Sequence, residues 1–240
     1  MLISHRKKFI FTKTVKTAGT SIESYFEKYC MPDGDWHELH ARDEYISETG
    51  IIGHRGSRED DSIWYNHMSA EKIRDLLGRE TWDSYFKFTV VRNPFDKLIS
   101  GFFMFENRKE NYNSIRRFRA FVKKTLDRGG AIDRISGNTE VERFRCWIRK
   151  GGKIIDRDKY LIDGEYCINY FIRFENLHKG VRDVCNDLSI PFEPSRIPEF
   201  KKGIRHHNVK IQDYYDNETE QIVRNLYALE IEKFGYDLLR

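Results

Sequence analysis

The stretch FIFTKTVKTAGTSIESYFEKYC, Phe9 to Cys30, reads as strand, turn and helix in immediate succession. Phe9 to Val15 is aromatic and β-branched, as strands are. Ile22, Tyr25, Phe26 and Tyr29 fall at helical spacing, so the sequence predicts a helix starting near Thr20. Between them lies KTAGTS, Lys16–Ser21, with a single glycine, Gly19. A strand that turns through glycine into a helix N-terminus leaves backbone N–H groups unpaired and facing outward, and the helix dipole adds positive charge there. Lys16 and the hydroxyls of Thr17, Thr20 and Ser21 complete a candidate anion site. Taken alone, the same residues equally suit a plain βα turn with capping hydroxyls. A Walker A loop is excluded, because that motif sets lysine after its second glycine and here Lys16 precedes the only one.

Outward from this unit, strand-like and helix-like stretches alternate, which predicts an α/β fold with a central parallel sheet flanked by helices. FKFTVV, Phe86–Val91, is nearly continuous in apolar content, as a strand buried on both faces is. SIWYNH (Ser62–His67) and YCINYFIRF are further strand candidates. Ser69 caps AEKIRDLL, which Gly78 closes, and Asn93 with Pro94 opens a helix through FDKLISGFFMF. LHKGVRDVCNDL is another helix, and Asn217 with Glu220 predicts a capping box opening ETEQIVRNLYALEIEKF, which Gly235 ends. Residues 30–61 read as an irregular insertion and residues 107–150 as a basic helical region. No repeat or linker interrupts the chain, so one domain over residues 1–240 is expected.

Composition narrows the class. Apolar content of 39% with 33% charged residues describes a globular chain with a charged surface, and Lys+Arg 42 against Asp+Glu 38 leaves +4, which excludes an acidic disordered protein. Spread evenly, that excess does not indicate nucleic acid, and no zinc finger, RRM-like or helix-turn-helix signature accompanies it. Aromatics reach 14%, enough for a core built on rings or a site that stacks on something flat. Cys30, Cys146, Cys167 and Cys185 form no CxxC pair, so reduced, mostly buried thiols are expected and no metal site. No run of apolar residues suits a membrane span, and the N-terminal stretch lacks a signal-peptide pattern, so a cytoplasmic setting is expected.

A second segment, VVRNPFDKLISGFF, follows the buried strand. Arg92 stands at its end and Ser100 about two turns into the next helix, near the sheet edge where open α/β folds bind ligands. An arginine fork and a serine donor suit a phosphate. On their own they suit a surface arginine beside a capped helix better.

Taken as a pair, KTAGTS and VRNPFDKLISGF resemble the cofactor motifs of the sulfotransferases that use 3′-phosphoadenylyl sulfate, most of all the branch of carbohydrate and glycosaminoglycan O-sulfotransferases. RFENL near Arg173–Leu177 and the stretch Tyr214–Tyr236 are similar to that branch as well. The resemblance implies a fold related to the P-loop nucleotide kinases. It also implies that Lys16, Thr17, Ala18, Gly19, Thr20 and Ser21 hold the 5′-phosphosulfate of the donor, while Arg92 and Ser100 take the 3′-phosphate. Val15 departs from the family, which often has proline before the lysine. FKKGIR resembles a basic loop that closes over the 3′-phosphate, which adds Lys202 and Gly203; a basic surface turn is the alternative.

Sulfuryl transfer to a hydroxyl passes in line between oxygens, so it needs a cation at the leaving oxygen and a base for the acceptor's proton. Lys16 fills the first role. For the second, His67 is expected, at a junction before a helix where the family resemblance also sets a histidine, with His54 in GHRG as the alternative. His206 and His207 sit in a basic loop and suit cofactor or solvent contact. The product would be adenosine 3′,5′-bisphosphate, no metal is required, and the acceptor is expected to be a carbohydrate. The basic cluster Arg116–Arg128 is either a solvated helix face or a rim that attracts an acidic acceptor. A small-molecule kinase and a non-catalytic nucleotide- or anion-binding module remain as alternative readings.

Overall fold

A computed structural model describes residues 1–56, 61–109, 135–198 and 209–238. The chain runs β1 (Leu2–Ser4), β2 (Phe9–Phe11), α1 (Gly19–Phe26), β3 (Tyr45–Ser47), β4 (Gly50–Ile52), α2 (Ala70–Leu77), α3 (Arg79–Ser84) and β5 (Phe86–Val91). It continues through α4 (Pro94–Lys109), α5 (Glu140–Arg149), β6 (Leu161–Ile162), β7 (Glu165–Tyr166), β8 (Tyr170–Arg173), α6 (Leu177–Asp187), α7 (Asn217–Leu226) and α8 (Ala228–Phe234). These elements gather into two units: Met1–Val91 with Asp156–Phe200, and Arg92–Ile155 with Lys201–Arg240.

The first unit is built on a six-stranded sheet in the order β3-β4-β1-β2-β5-β8. Side chains alternate across it, because successive residues of a strand point to opposite faces. Leu2, Phe9, Phe11, Ile52, Phe88 and Val90 pack on one side with Ile22, Tyr25 and Phe26 of α1 and Val181 and Val184 of α6. Ile3, Ile10 and Ile51 face the other way, against Ala70 and Ile73 of α2 and Trp82 of α3. The result is helix, sheet and helix in layers.

The sheet is mixed rather than parallel. β2, β5 and β8 run parallel, with Phe9 opposite Phe86 and Phe88 opposite Tyr170, as expected of strands joined by helical crossovers. β1, β4 and β3 add antiparallel on the other side of β2. Residues 30–61 are therefore not simply an irregular insertion: they supply two strands, each of three residues. The expected strand Ser62–His67 is absent; that stretch makes one isolated bridge, His54 to Tyr65, and His67 takes a left-handed φ of 57°, which no strand accommodates.

The second unit is α-helical around rings. Phe144 of α5 lies edge-on to Phe102 of α4 at 5.5 Å, to Tyr214 at 5.6 Å and to Tyr215 at 5.1 Å, and Trp147 is buried beside them. Such edge-to-face pairs add roughly 0.5–1.5 kcal/mol beyond the area they bury. Asp216, not Asn217, caps α7: its carboxylate accepts from the Thr219 amide at 2.9 Å, and the Thr219 hydroxyl accepts in return from the Asp216 amide at 3.0 Å. The long C-terminal helix breaks at Tyr227, whose phenol is held by both the amide and the carbonyl of Ile154 at 2.9 and 2.8 Å. Gly235 ends α8 in a left-handed conformation, as expected.

Candidate active site

The turn between β2 and α1 is shaped by hydroxyls that fold inward. Thr14 donates to the Val90 carbonyl of β5, so the 2.8 Å contact between Thr14 and Thr17 takes its hydrogen from Thr17. The Thr17 side chain is thus committed to the turn. Opposite, the Asp156 carboxylate accepts from the Val15 amide at 2.6 Å.

Lys16 and Ala18 both adopt left-handed backbone, φ 62° and 60°, with Thr17 between them at negative φ. Each such non-glycine residue costs on the order of 1–3 kcal/mol and survives where surrounding structure enforces it. Backbone that alternates in hand turns successive N–H groups into one concavity, a shape that holds anions. The amides of Ser21 and Ile22 bend back to the Ala18 carbonyl at 2.9 and 3.2 Å. Those of Gly19 and Thr20 open the helix and have no preceding turn to bond to. The KTAGTS turn is therefore shaped by its backbone, with Lys16 and Thr20 only partly buried at its edge.

Beneath the cradle lies a buried charge cluster. Glu23 of α1 is paired with Lys13 at 2.5 Å, with the Met1 amino group at 2.5 Å and with Arg55 at 3.1 Å. Glu27, one turn on, accepts from Arg55 and from Arg42 at 3.2 Å. Burial alone would push the Glu23 carboxyl up, but Lys13, the Met1 ammonium and Arg55 together hold it well below the usual carboxylate range. Lys13, Arg42 and Arg55 thus stand against Glu23 and Glu27 beneath the turn. Sequence reading missed this cluster, since Lys13 and Glu23 look locally like surface charges. The remaining signal was that Glu23 and Glu27 are one helical turn apart on a helix otherwise rich in apolar residues.

His67 is brought to the same strand end. Its Nδ1 lies 3.0 Å from the Lys13 carbonyl, and since a carbonyl only accepts, Nδ1 carries the proton and Nε2 the lone pair. Burial, and next the Lys13 ammonium, lower its pKa to about 3. It is neutral at physiological pH, the form a base requires. His54 lies nearby in the fold: its carbonyl accepts from the Asn66 amide at 3.0 Å, its Nδ1 is 3.6 Å from Asp43, and its Nε2 is buried with no partner among the described residues.

In the second unit, Arg92 grips Asp96 with Nε at 2.9 Å and Nη2 at 2.6 Å. Asn93 caps α4, accepting from the Phe95 amide at 3.0 Å. Ser100 is four residues beyond Asp96 on α4 and so shares its face. Lys202, Gly203, His206, His207 and the Arg116–Arg128 cluster lie outside the described residues.

A layered α/β unit whose strand β2 runs into a turn with two left-handed residues, with His67 hydrogen-bonded to Lys13 just beyond that strand, places the protein in the α/β class. The particular kind follows from the whole sequence: the model of the sulfotransferase family matches residues 1–237, and the chain belongs to that family, whose chemistry is sulfuryl transfer. No curated protein and no solved structure matches the chain.

Proposed function

We propose that the protein transfers a sulfuryl group from 3′-phosphoadenylyl sulfate to a hydroxyl of a carbohydrate acceptor. One observation carries the reading: in a chain of the sulfotransferase family, the turn before α1 holds two left-handed residues around the first amides of the helix. That concavity fits the phosphate end of such a donor in shape and charge. The donor supplies a sulfuryl group already activated on phosphate, which leaves positioning and charge to the protein.

In this reading the Gly19 and Thr20 amides, with the hydroxyls of Thr20 and Ser21, hold the 5′-phosphate. Thr17 and Ala18 contribute through backbone, and Lys16 meets the charge that develops on the leaving oxygen. Arg92 and Ser100 take the 3′-phosphate, and Lys202 and Gly203 join them on the sequence resemblance alone. His67 accepts the acceptor's proton at Nε2. A histidine with a pKa of about 3 is a weak base at neutral pH. Negative charge brought to the turn opposes the Lys13 field and raises it toward the working range.

Thermal unfolding with adenosine 3′,5′-bisphosphate, AMP, and ATP with Mg²⁺ tests the donor. Stabilisation by the bisphosphate well beyond the other two is expected, and a preference for ATP overturns the reading. Transfer of labelled sulfate to a panel of sugars, phenols and lipids tests the acceptor: incorporation into sugars is expected, and labelling of phenols or lipids alone overturns the carbohydrate assignment.

A further inference from the structure

Lys13 touches three parts of the site at once. The residue is 3% exposed, and Nζ donates to Glu23 Oε2 at 2.5 Å and to Thr20 Oγ1 at 3.2 Å. The stem passes directly under Gly19: a Cβ added there would stand 2.7 Å from Lys13 Cγ and 2.9 Å from Cε. Gly19 is thus glycine for space and not for its φ, since any side chain would displace this lysine. The Lys13 carbonyl, finally, accepts from His67 Nδ1 at 3.0 Å.

Two consequences follow from donor and acceptor rules. An ammonium has no lone pair, so Thr20 Oγ1 accepts from it and turns its own hydrogen elsewhere. Glu23 is held in place by Arg55 and the Met1 amino group as well, so the lysine has a fixed anchor rather than a swinging partner. We propose that Lys13 is the positioning residue of the site: anchored on Glu23, its ammonium aims the Thr20 hydroxyl hydrogen outward at the 5′-phosphate, and its carbonyl fixes the ring of His67. This rests on the donor reading given above. Lys13 itself need not touch the donor.

A double-mutant cycle of Lys13→Met and Thr20→Val, read by calorimetric binding of adenosine 3′,5′-bisphosphate, tests the first link. Each single change is expected to weaken binding about tenfold, the scale of one lost hydrogen bond to a charged group. The double variant should be little weaker than the worse single, whereas fully additive losses overturn the link. Lys13→Met with Glu23→Gln removes both members of the buried pair and serves as the background if the single variant does not fold. The second link is read without nucleotide, by the ¹⁵N shifts of the His67 ring in the wild-type protein at neutral pH. A protonated Nδ1 and a bare Nε2 are expected from the bond to the Lys13 carbonyl, and the opposite tautomer overturns that link. Failure of the wild-type protein to bind the bisphosphate instead removes the donor reading, and with it the Thr20 half of the proposal, while the His67 tautomer still decides the other half.

Discussion

The Lys16–Ser21 turn and the Arg92–Ser100 segment were expected to do similar work, yet they are made differently. The first is a backbone device: two left-handed residues, helix-opening amides and a buried lysine beneath them. The second is a side-chain device, an arginine held by Asp96 with a serine one turn further along the same helix face. A backbone cradle exists before any ligand arrives and loses little entropy on binding. A guanidinium already engaged by a carboxylate must divide its donors between the two anions. The difference teaches that the turn should carry the chemistry, and the arginine segment affinity and selectivity.

The sharpest way to break that division is to remove one group from each. Lys16→Ala is expected to lower kcat by about 10²–10³, the effect of deleting one transition-state donor, and to change bisphosphate affinity much less. His67→Ala should lower kcat by about 10²–10⁴ with nucleotide binding unchanged, the range for a lost general base. Turnover measured beside calorimetric binding checks both, and near-normal kcat in either variant removes that residue's role. Arg92→Ala is expected to do the reverse: affinity for adenosine 3′,5′-bisphosphate falls about 10- to 100-fold, the scale of a lost charge-assisted pair, while affinity for AMP, which lacks the 3′-phosphate, stays the same. Equal losses for both nucleotides would place Arg92 elsewhere.

Why the turn was legible in sequence and its support was not has a physical reason. Glycine, hydroxyls and the change of period from two to 3.6 are local signals, and α2, with its Ser69 cap and Gly78 stop, was legible on the same grounds. β1, β3 and β4 have three residues each, too few to show a period, and exist because they pair with one another and with β2. The cap of α7 moved one residue to Asp216 because Asp and Asn both accept well there, and local sequence does not choose between them. The Lys13–Glu23–Arg55 cluster joins residues as far as 42 positions apart, and only the fold reveals that their charges are buried.

A smaller effect sharpens the account of the side-chain device. Asp96→Asn keeps an oxygen for Arg92 but withdraws a negative charge from beside the expected 3′-phosphate. Bisphosphate affinity should rise two- to fivefold, roughly 0.3–1 kcal/mol for a partly exposed charge pair. A fall instead would mean that the carboxylate's hold on the guanidinium matters more than its repulsion of the ligand.

The last expected effect concerns the turn's histidine and is read in stability, not in turnover or affinity. His67 titrates at about 3 in the folded protein, against an ordinary value of 6.5, because burial and the Lys13 ammonium disfavour its cation. Its folded pKa lies below its unfolded one, so between those values the unfolded chain binds the proton and the native protein does not. Stability therefore falls as pH drops from about 6.5 toward 3, with a limiting slope of about 1.4 kcal/mol per pH unit for one proton. His67→Gln retains an amide donor for the Lys13 carbonyl but cannot titrate. Denaturant unfolding of both proteins between pH 7 and 4 should show the variant less acid-sensitive than the wild type, on top of whatever slope the carboxylates give to both. Parallel curves would mean that His67 protonates in the native state as readily as in the unfolded one, and the neutral Nε2 lone pair on which its assignment as base depends would be lost in mild acid. Near-saturating adenosine 3′,5′-bisphosphate should shrink the difference between the two proteins, since an anion in the cradle raises the native pKa toward the unfolded value and leaves less proton uptake for unfolding to drive.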